Sequence, residues 1–181
     1  MAEQFPELSD ELSRFIGAQK VFFVATAAPD GRINLSPKGQ DSLRVLNSHE
    51  ILWMNLTGSG NETAAHLSES NRMTMMWCAF EGPPRILRVY GTAQVFHPRD
   101  ARWEEFSIQL PSALGTRQYF LVSIDLVQTS CGYAVPFMDY VEDRRVLSKW
   151  AENKGEDGIS EYWQERNQLS LDGKPTGIFG S

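Results

Sequence analysis

The sequence predicts a mainly β fold: a small antiparallel barrel of about six strands with helices at its periphery. Segments rich in aromatic and β-branched residues recur at short spacing, most of them joined by turn residues. The helical segments between them are brief. The pattern lacks the repeated long strand–helix–strand units that build a doubly wound parallel sheet.

The elements follow in order. Glu7 to Ala18 places Leu8, Leu12, Phe15 and Ile16 on one helical face, with Ser9 or Asp10 available as cap and Gly17 near its end. Lys20 to Ala27 (KVFFVATA) reads as a strand. Ala28-Pro-Asp-Gly31 is a turn, since proline presets one φ angle and glycine accepts a positive one. Arg32 to Ser36 resumes extended structure to give a hairpin, and Glu50 to Leu56 is a further strand. A short helix is expected over Glu62 to Ser70, then strands over Arg72 to Phe80 and Arg85 to Phe96, the second bent or bulged at Gly91. Pro98 to Leu110 reads as a helix with proline in its first turn. Tyr119 to Val127 closes the β portion, and Asp139 to Asn153 and Ile159 to Leu169 read as two helices.

With 181 residues, 41% of them hydrophobic and 22% charged, the chain fits one globular domain, or one with a helical appendage. A net charge of −6 argues against a sequence-independent grip on nucleic acid or anionic membrane. A phosphate ligand is still compatible, because local geometry sets such a site. No apolar run reaches the 18 residues of a membrane span, and the acidic start lacks the basic region of a signal peptide. A cytoplasmic protein is expected, with Cys78 and Cys131 as buried free thiols. His49, His66 and His97 lack ligand spacing, so no metal site is expected. No Gly-x-Ser-x-Gly elbow points to a serine hydrolase, and the five tryptophans read as core.

The chemistry concentrates in Thr57-Gly-Ser-Gly-Asn-Glu-Thr63, directly after a strand and before a helix. Ser59 and Glu62 stand in capping-box register. Two glycines let backbone amides approach a ligand, and the helix start adds free donors and partial positive charge, which together suit a phosphate. Spacing alone leaves open a bare strand–helix connection with an N-cap. Ser36-Pro-Lys38-Gly39 adds a fixed positive charge beside a hydroxyl, with a solvated turn lysine as its other reading. Arg72 and Arg88 lie at or within strands, where a charged side chain needs a partner or an exit to water. Ser170 to Gly177 is dense in turn residues and precedes the apolar pair Ile178-Phe179, so the tail is expected to dock.

Taken in order, Ala25-Thr26, Asp30-Gly31-Arg32, Ser36-Pro-Lys-Gly39, Gly58-Ser-Gly-Asn-Glu-Thr63 and Arg88-x-x-Gly91 resemble the pyridoxamine 5′-phosphate oxidase-like flavoproteins. The match is to an uncharacterised branch, and covers roughly Gln19 to Val135. The resemblance implies a six-stranded antiparallel split β-barrel with C-terminal helices, a single domain over residues 1–181 whose barrel ends near residue 135. It implies an FMN-dependent oxidoreductase that forms a homodimer with FMN at the interface. By position, Ser36, Pro37 and Lys38 would face the flavin and its phosphate, and Asn55 and Thr57 its ring and ribityl portions. Ser59, Gly60, Asn61 and Glu62 would form the loop near the ribityl chain and phosphate. Arg88 occupies a position that often makes a polar cofactor contact, and the tail would reach the partner's flavin. The Arg-x-Val-Leu-Leu-Lys strand and the late Arg-Leu-x-x-Arg segment of true pyridoxamine phosphate oxidases are both missing, which argues against that substrate. A deazaflavin-dependent reductase and a non-catalytic flavin- or haem-binding module are the alternatives. Tyr133 and Arg145 are weak substrate-side candidates, better read as helix packing.

Overall fold

In a computed structural model, which describes residues 2–180, one antiparallel sheet carries the fold. Its elements run β1 (Glu3–Phe5), α1 (Asp10–Ala18), β2 (Phe22–Thr26), β3 (Asn34–Lys38), β4 (Leu43–Asn47) and β5 (Glu50–Leu56). Then come α2 (Glu62–Glu69), β6 (Arg72–Cys78), β7 (Ile86–Phe96), α3 (Trp103–Ser107), β8 (Thr116–Ser130) and α4 (Val146–Arg166). The strand order is β3-β2-β6-β7-β8-β5-β4, with β1 paired to β8. The mainly β, split-barrel class expected from the sequence holds.

β8 is the hub. Along one edge it pairs with β7 from Tyr119 to Ser130. Along the other it serves β5 over Thr116–Ser123 and β1 over Val127–Thr129. That second edge divides between two partners, and the strand order ends at β3 and β4, where the sheet stays open. β7 changes register between Tyr90 and Gly91, and a Cβ built on Gly91 would fall 2.0 Å from the Ser123 carbonyl oxygen. The glycine is therefore needed for close backbone approach at the bulge.

The sheet has eight strands where six were expected. β1 is too short to carry a periodic pattern and gains its hydrogen bonds from β8. β4 pairs only with β5; Leu43 and Val45 pack against the core, but neither is fully buried, and the five-residue strand is too short to stand out in the sequence.

The core is aromatic. Phe22 stacks on Trp77 at 6.0 Å between centroids, and Trp53 stacks on Phe120 at 4.7 Å. α1 lays Leu12 and Ile16 against this core, and the Ser9 hydroxyl accepts from the Leu12 amide at 3.2 Å. A smaller cluster under α3 joins Leu52, Met54, Phe106, Leu110, Tyr119 and Leu121.

Four expectations change. The helix read over Pro98 to Leu110 shrinks to α3, because the Asp100 carboxylate accepts from the His97 amide at 2.7 Å and holds a turn instead. The two expected C-terminal helices are present within the span α4, separated at Gly155 (φ 65°, ψ 178°), but the first begins later, since residues 139–145 form no helix. Tyr133, read as helix packing, lies outside any helix and is 84% exposed. Cys78 is buried but Cys131 is exposed, since it follows the last residue of β8 and leaves the sheet. Among the described residues, no helix is long and apolar enough to cross a membrane.

Gly91→Ala should destabilise the chain by about 1–3 kcal/mol, the usual cost of forcing atoms into a filled site, or by more if the bulge cannot shift. Urea denaturation measures it; an unchanged midpoint would contradict the bulge geometry.

Candidate functional site

Alternation along a strand sends every second side chain to the same face. On β3 this puts Asn34, Ser36 and Lys38 together, each partly buried between exposed Leu35 and Pro37. They line a cavity of about 310 Å³ with Asn55, the Gly58–Thr63 stretch and Arg117. Seven of the residues expected at a cofactor site thus meet there: Ser36, Lys38, Asn55, Ser59, Gly60, Asn61 and Glu62. Pro37 and Thr57 line an adjoining cavity of about 230 Å³, which Lys38, Asn55 and Gly58 share.

Arg88 is not with them. Its Nη1 donates to the Ser130 hydroxyl at 3.2 Å, and it lines neither cavity. The strand interior explains its charge by a neighbouring hydroxyl on β8.

The glycine loop departs from the expected capping box. The N-cap of α2 is Asn61, with no side-chain cap bond, and Ser59 lies two residues before it. The Glu62 carboxylate accepts the Leu171 amide at 3.1 and 3.0 Å instead of turning back to Ser59. A donor from the distant tail has outcompeted the local one. Asn61 Nδ2 donates to the Asn167 carbonyl at 3.3 Å, and its Oδ1 is buried without a partner among the described residues.

Two cations dominate the electrostatics. Arg117 is 3% exposed; its Nε donates to Gln118 Oε1 at 3.1 Å and its Nη1 to Asn167 Oδ1 at 2.6 Å and the Gly58 carbonyl at 3.5 Å. Burial lowers its pKa to about 10. Lys38 sits with Nζ 5.3 Å from the Trp53 ring centroid. Burial, with the nearby Arg117 charge, lowers Lys38 to about 8. Among the described residues, neither forms an ion pair with a carboxylate. A buried and a partly buried charge of one sign, without a counter-ion in contact, are costly unless an anion joins them.

Asn55 and Thr57 already have protein partners. Asn55 Nδ2 donates to Gln118 Oε1 at 3.0 Å. The Thr57 hydroxyl donates to the Gly115 carbonyl at 2.7 Å and accepts from Trp163 Nε1 at 2.8 Å. Sequence reasoning missed Arg117, Asn34 and Thr63. For Arg117 the signal was present: an arginine at the start of an apolar strand invites the same question that singled out Arg88.

The tail docks, as expected, but on its own chain. Thr176 is buried and its hydroxyl donates to the Asn167 carbonyl at 2.6 Å. Asp172 pairs with Arg32, and Lys174 bridges Asp30 at 2.6 Å and Glu69 at 2.8 Å. Ile178 is buried, whereas Phe179 is half exposed. These contacts tie Ser170–Gly177 to the β2–β3 turn and α2.

Residues 8–131 match the family model described as pyridoxamine 5′-phosphate oxidase. The chain belongs to this family. A pyridoxamine 5′-phosphate oxidase family protein of Aspergillus flavus, ustO, is 37% identical over 191 residues, covering 94% of this chain and 76% of the relative. Among solved structures, a Lactobacillus delbrueckii protein provisionally assigned as a pyridoxamine 5′-phosphate oxidase superposes with a TM-score of 0.54 at 18% identity, over 68% of this chain and 94% of that one. HupZ of Group A Streptococcus gives 0.52 at 16%, over 66% and 91%. An FAD-binding protein of Mesorhizobium loti gives 0.50 at 13%, over 71% and 96%. At such identities the structural likenesses show the fold.

The site has a pH signature. Lys38 titrates near 8 in the folded chain against 10.5 for an ordinary lysine, so folding releases its proton early. The unfolded chain binds more protons between those values, and stability should rise with pH across that window. Lys38→Met should flatten the rise relative to the wild type in urea midpoints taken at pH 8 and pH 10. Parallel pH profiles would mean that Lys38 is not desolvated.

Proposed function

We propose that the chain binds FMN in these adjoining cavities and works as an FMN-dependent oxidoreductase. The observation that carries this reading is the pair of cations, buried Arg117 and partly buried Lys38, facing one cavity beside a glycine loop, with no carboxylate in ion-pair contact with either among the described residues. A phosphate is the group that such a site suits, since the α2 N-terminus adds its own partial positive charge. The residues fit the rest of the cofactor too. Asn61 Oδ1 is a buried acceptor in want of a donor, as a ribityl hydroxyl would supply.

In this reading Lys38, Arg117, Ser36 and the amides of Ser59 and Gly60 hold the phosphate, and Asn61 holds the sugar alcohol. Glu62 fixes the loop through Leu171. Pro37, Asn55 and Thr57 border the space for the ring, with Leu147 across it. Arg88 stays outside the set. The flavin, when bound, supplies electron transfer, while the chain's side chains orient it and exclude water. Membership of the family and the flavin named for the Mesorhizobium neighbour support a flavin over other phosphates.

The same reading extends to a cytoplasmic homodimer, each chain a single domain. An exposed apolar stretch supports the dimer: Phe137 is 83% and Val141 87% exposed in the lone chain. Free cysteines suit a reducing compartment.

The purified protein should be yellow and release FMN on denaturation. Lys38→Ala should weaken FMN binding by about 1–3 kcal/mol, and Arg117→Ala by at least as much, as expected for lost charge-assisted hydrogen bonds. A colourless protein that ignores FMN in a titration would sink the reading. NAD(P)H turnover with bound FMN tests the enzyme half. Light scattering should give twice the chain mass; a monomer that retains FMN would contradict the dimer.

A further inference from the structure

Asn167 follows α4 and is fully buried, in a part of the sequence that carries no motif. Four groups converge on it. Its Oδ1 accepts from Arg117 Nη1 at 2.6 Å, and its Nδ2 donates to the Gly58 carbonyl at 3.1 Å. Its backbone carbonyl accepts from Asn61 Nδ2 at 3.3 Å and from the Thr176 hydroxyl at 2.6 Å. One residue therefore touches β8, the glycine loop, the α2 cap and the C-terminal tail.

The chemistry of the Arg117 contacts is unusual for a buried arginine. Such a group ordinarily rests on a carboxylate. Here all three acceptors, Asn167 Oδ1, Gln118 Oε1 and the Gly58 carbonyl, are neutral. Among the described residues no acceptor engages Nη2, although Arg117 lines the cavity. The charged and titratable groups around it are Lys38 and His97, whose own pKa values its charge lowers, and Glu62 and Tyr162, which lie beyond ion-pair contact. The Glu62 carboxylate is occupied by the Leu171 amide.

We propose that Asn167 is a positioning residue whose neutral amide aims Arg117 into the cavity and leaves the guanidinium charge free for an anionic group. The proposal rests on the anion-site reading above and deepens it. Aspartate has the same shape, but at 2.6 Å it would neutralise the arginine before any ligand arrived. The amide therefore selects for a negatively charged partner, where a carboxylate would leave the cavity with Lys38 as its cation.

Dissociation constants for FMN and for inorganic phosphate, measured from pH 6.5 to 9.5, test this on the wild type, Asn167→Asp and Asn167→Ala. In the wild type, affinity should fall above about pH 8 as Lys38 loses its proton. Asn167→Asp should weaken both ligands at least tenfold and move that midpoint upward, because the Arg117 charge that depresses Lys38 is now offset. Asn167→Ala should weaken binding through lost aim and keep the midpoint near 8. Binding by Asn167→Asp within twofold of wild type would overturn the proposal. Equal losses and equal midpoints in the two variants would also overturn it, since Asn167 would then only pack the loop. The wild type gives a further arm without mutation: its Arg117 Nη2 resonance in a ¹⁵N-labelled sample should shift on phosphate addition, and a fixed resonance would count against the role. A wild type that binds neither ligand brings down the anion-site reading and this proposal together, whereas a binding wild type with an indifferent Asn167→Asp brings down this proposal alone.

Discussion

The Arg117 guanidinium sits where three distant stretches of the chain meet, and the candidate site is organised around it. Gly58 comes from the loop after β5, Gln118 from β8 itself, and Asn167 from beyond α4. Each offers a neutral oxygen, so the charge is held in place without being cancelled. Lys38 approaches from β3 with the same sign and the same lack of a counter-ion. Burying two such groups opposes folding, and the chain retains them beside a loop whose amides also favour an anion. A structural role alone would have been served better by apolar side chains of similar size.

The sheet explains how these groups come together. β8 spans 15 residues and holds β7 on one edge and β5 and β1 on the other. Arg117 lies near its start, directly across from the end of β5, from which the glycine loop departs. β3, at the far end of the strand order, returns Asn34, Ser36 and Lys38 to the same cavity because the sheet curls. The bulge at Gly91 allows β7 to stay on β8 through that curvature. The tail then closes the arrangement from outside. Its ion pairs are largely exposed and worth little individually, whereas the buried Thr176 hydroxyl on Asn167 ties the tail directly to the Arg117 network.

Family membership and site chemistry both suit the phosphate-bearing cofactor proposed above, and they separate on substrate. The cradle around the 310 Å³ cavity needs only an anion and a hydroxyl donor. The segments by which true pyridoxamine phosphate oxidases grip their substrate are not in this chain. The fold thus offers a frame on which a different reaction can be built.

What the sequence determined by itself was local. Turn chemistry at Ala28–Gly31, aromatic and β-branched runs, and the glycine loop before α2 each depend on neighbours within a few residues, so strands β2, β5, β6 and β7 and helix α2 were legible with their core residues. The family pattern added the cavity-lining residues of β3 and the loop, because those motifs are contiguous. β1 and β4 were invisible, since their stability comes from pairing with β8 and β5 instead of from their own pattern. Tertiary structure alone decided that Arg117 joins the site and Arg88 does not, although both are arginines in apolar strands. It also set Glu62 to hold the tail in place of a capping box, and made Asn167 the meeting point of four segments. The reason is common to all three: a buried polar group takes whichever partner the fold brings within hydrogen-bond reach, and most of those partners lie tens of residues away along the chain.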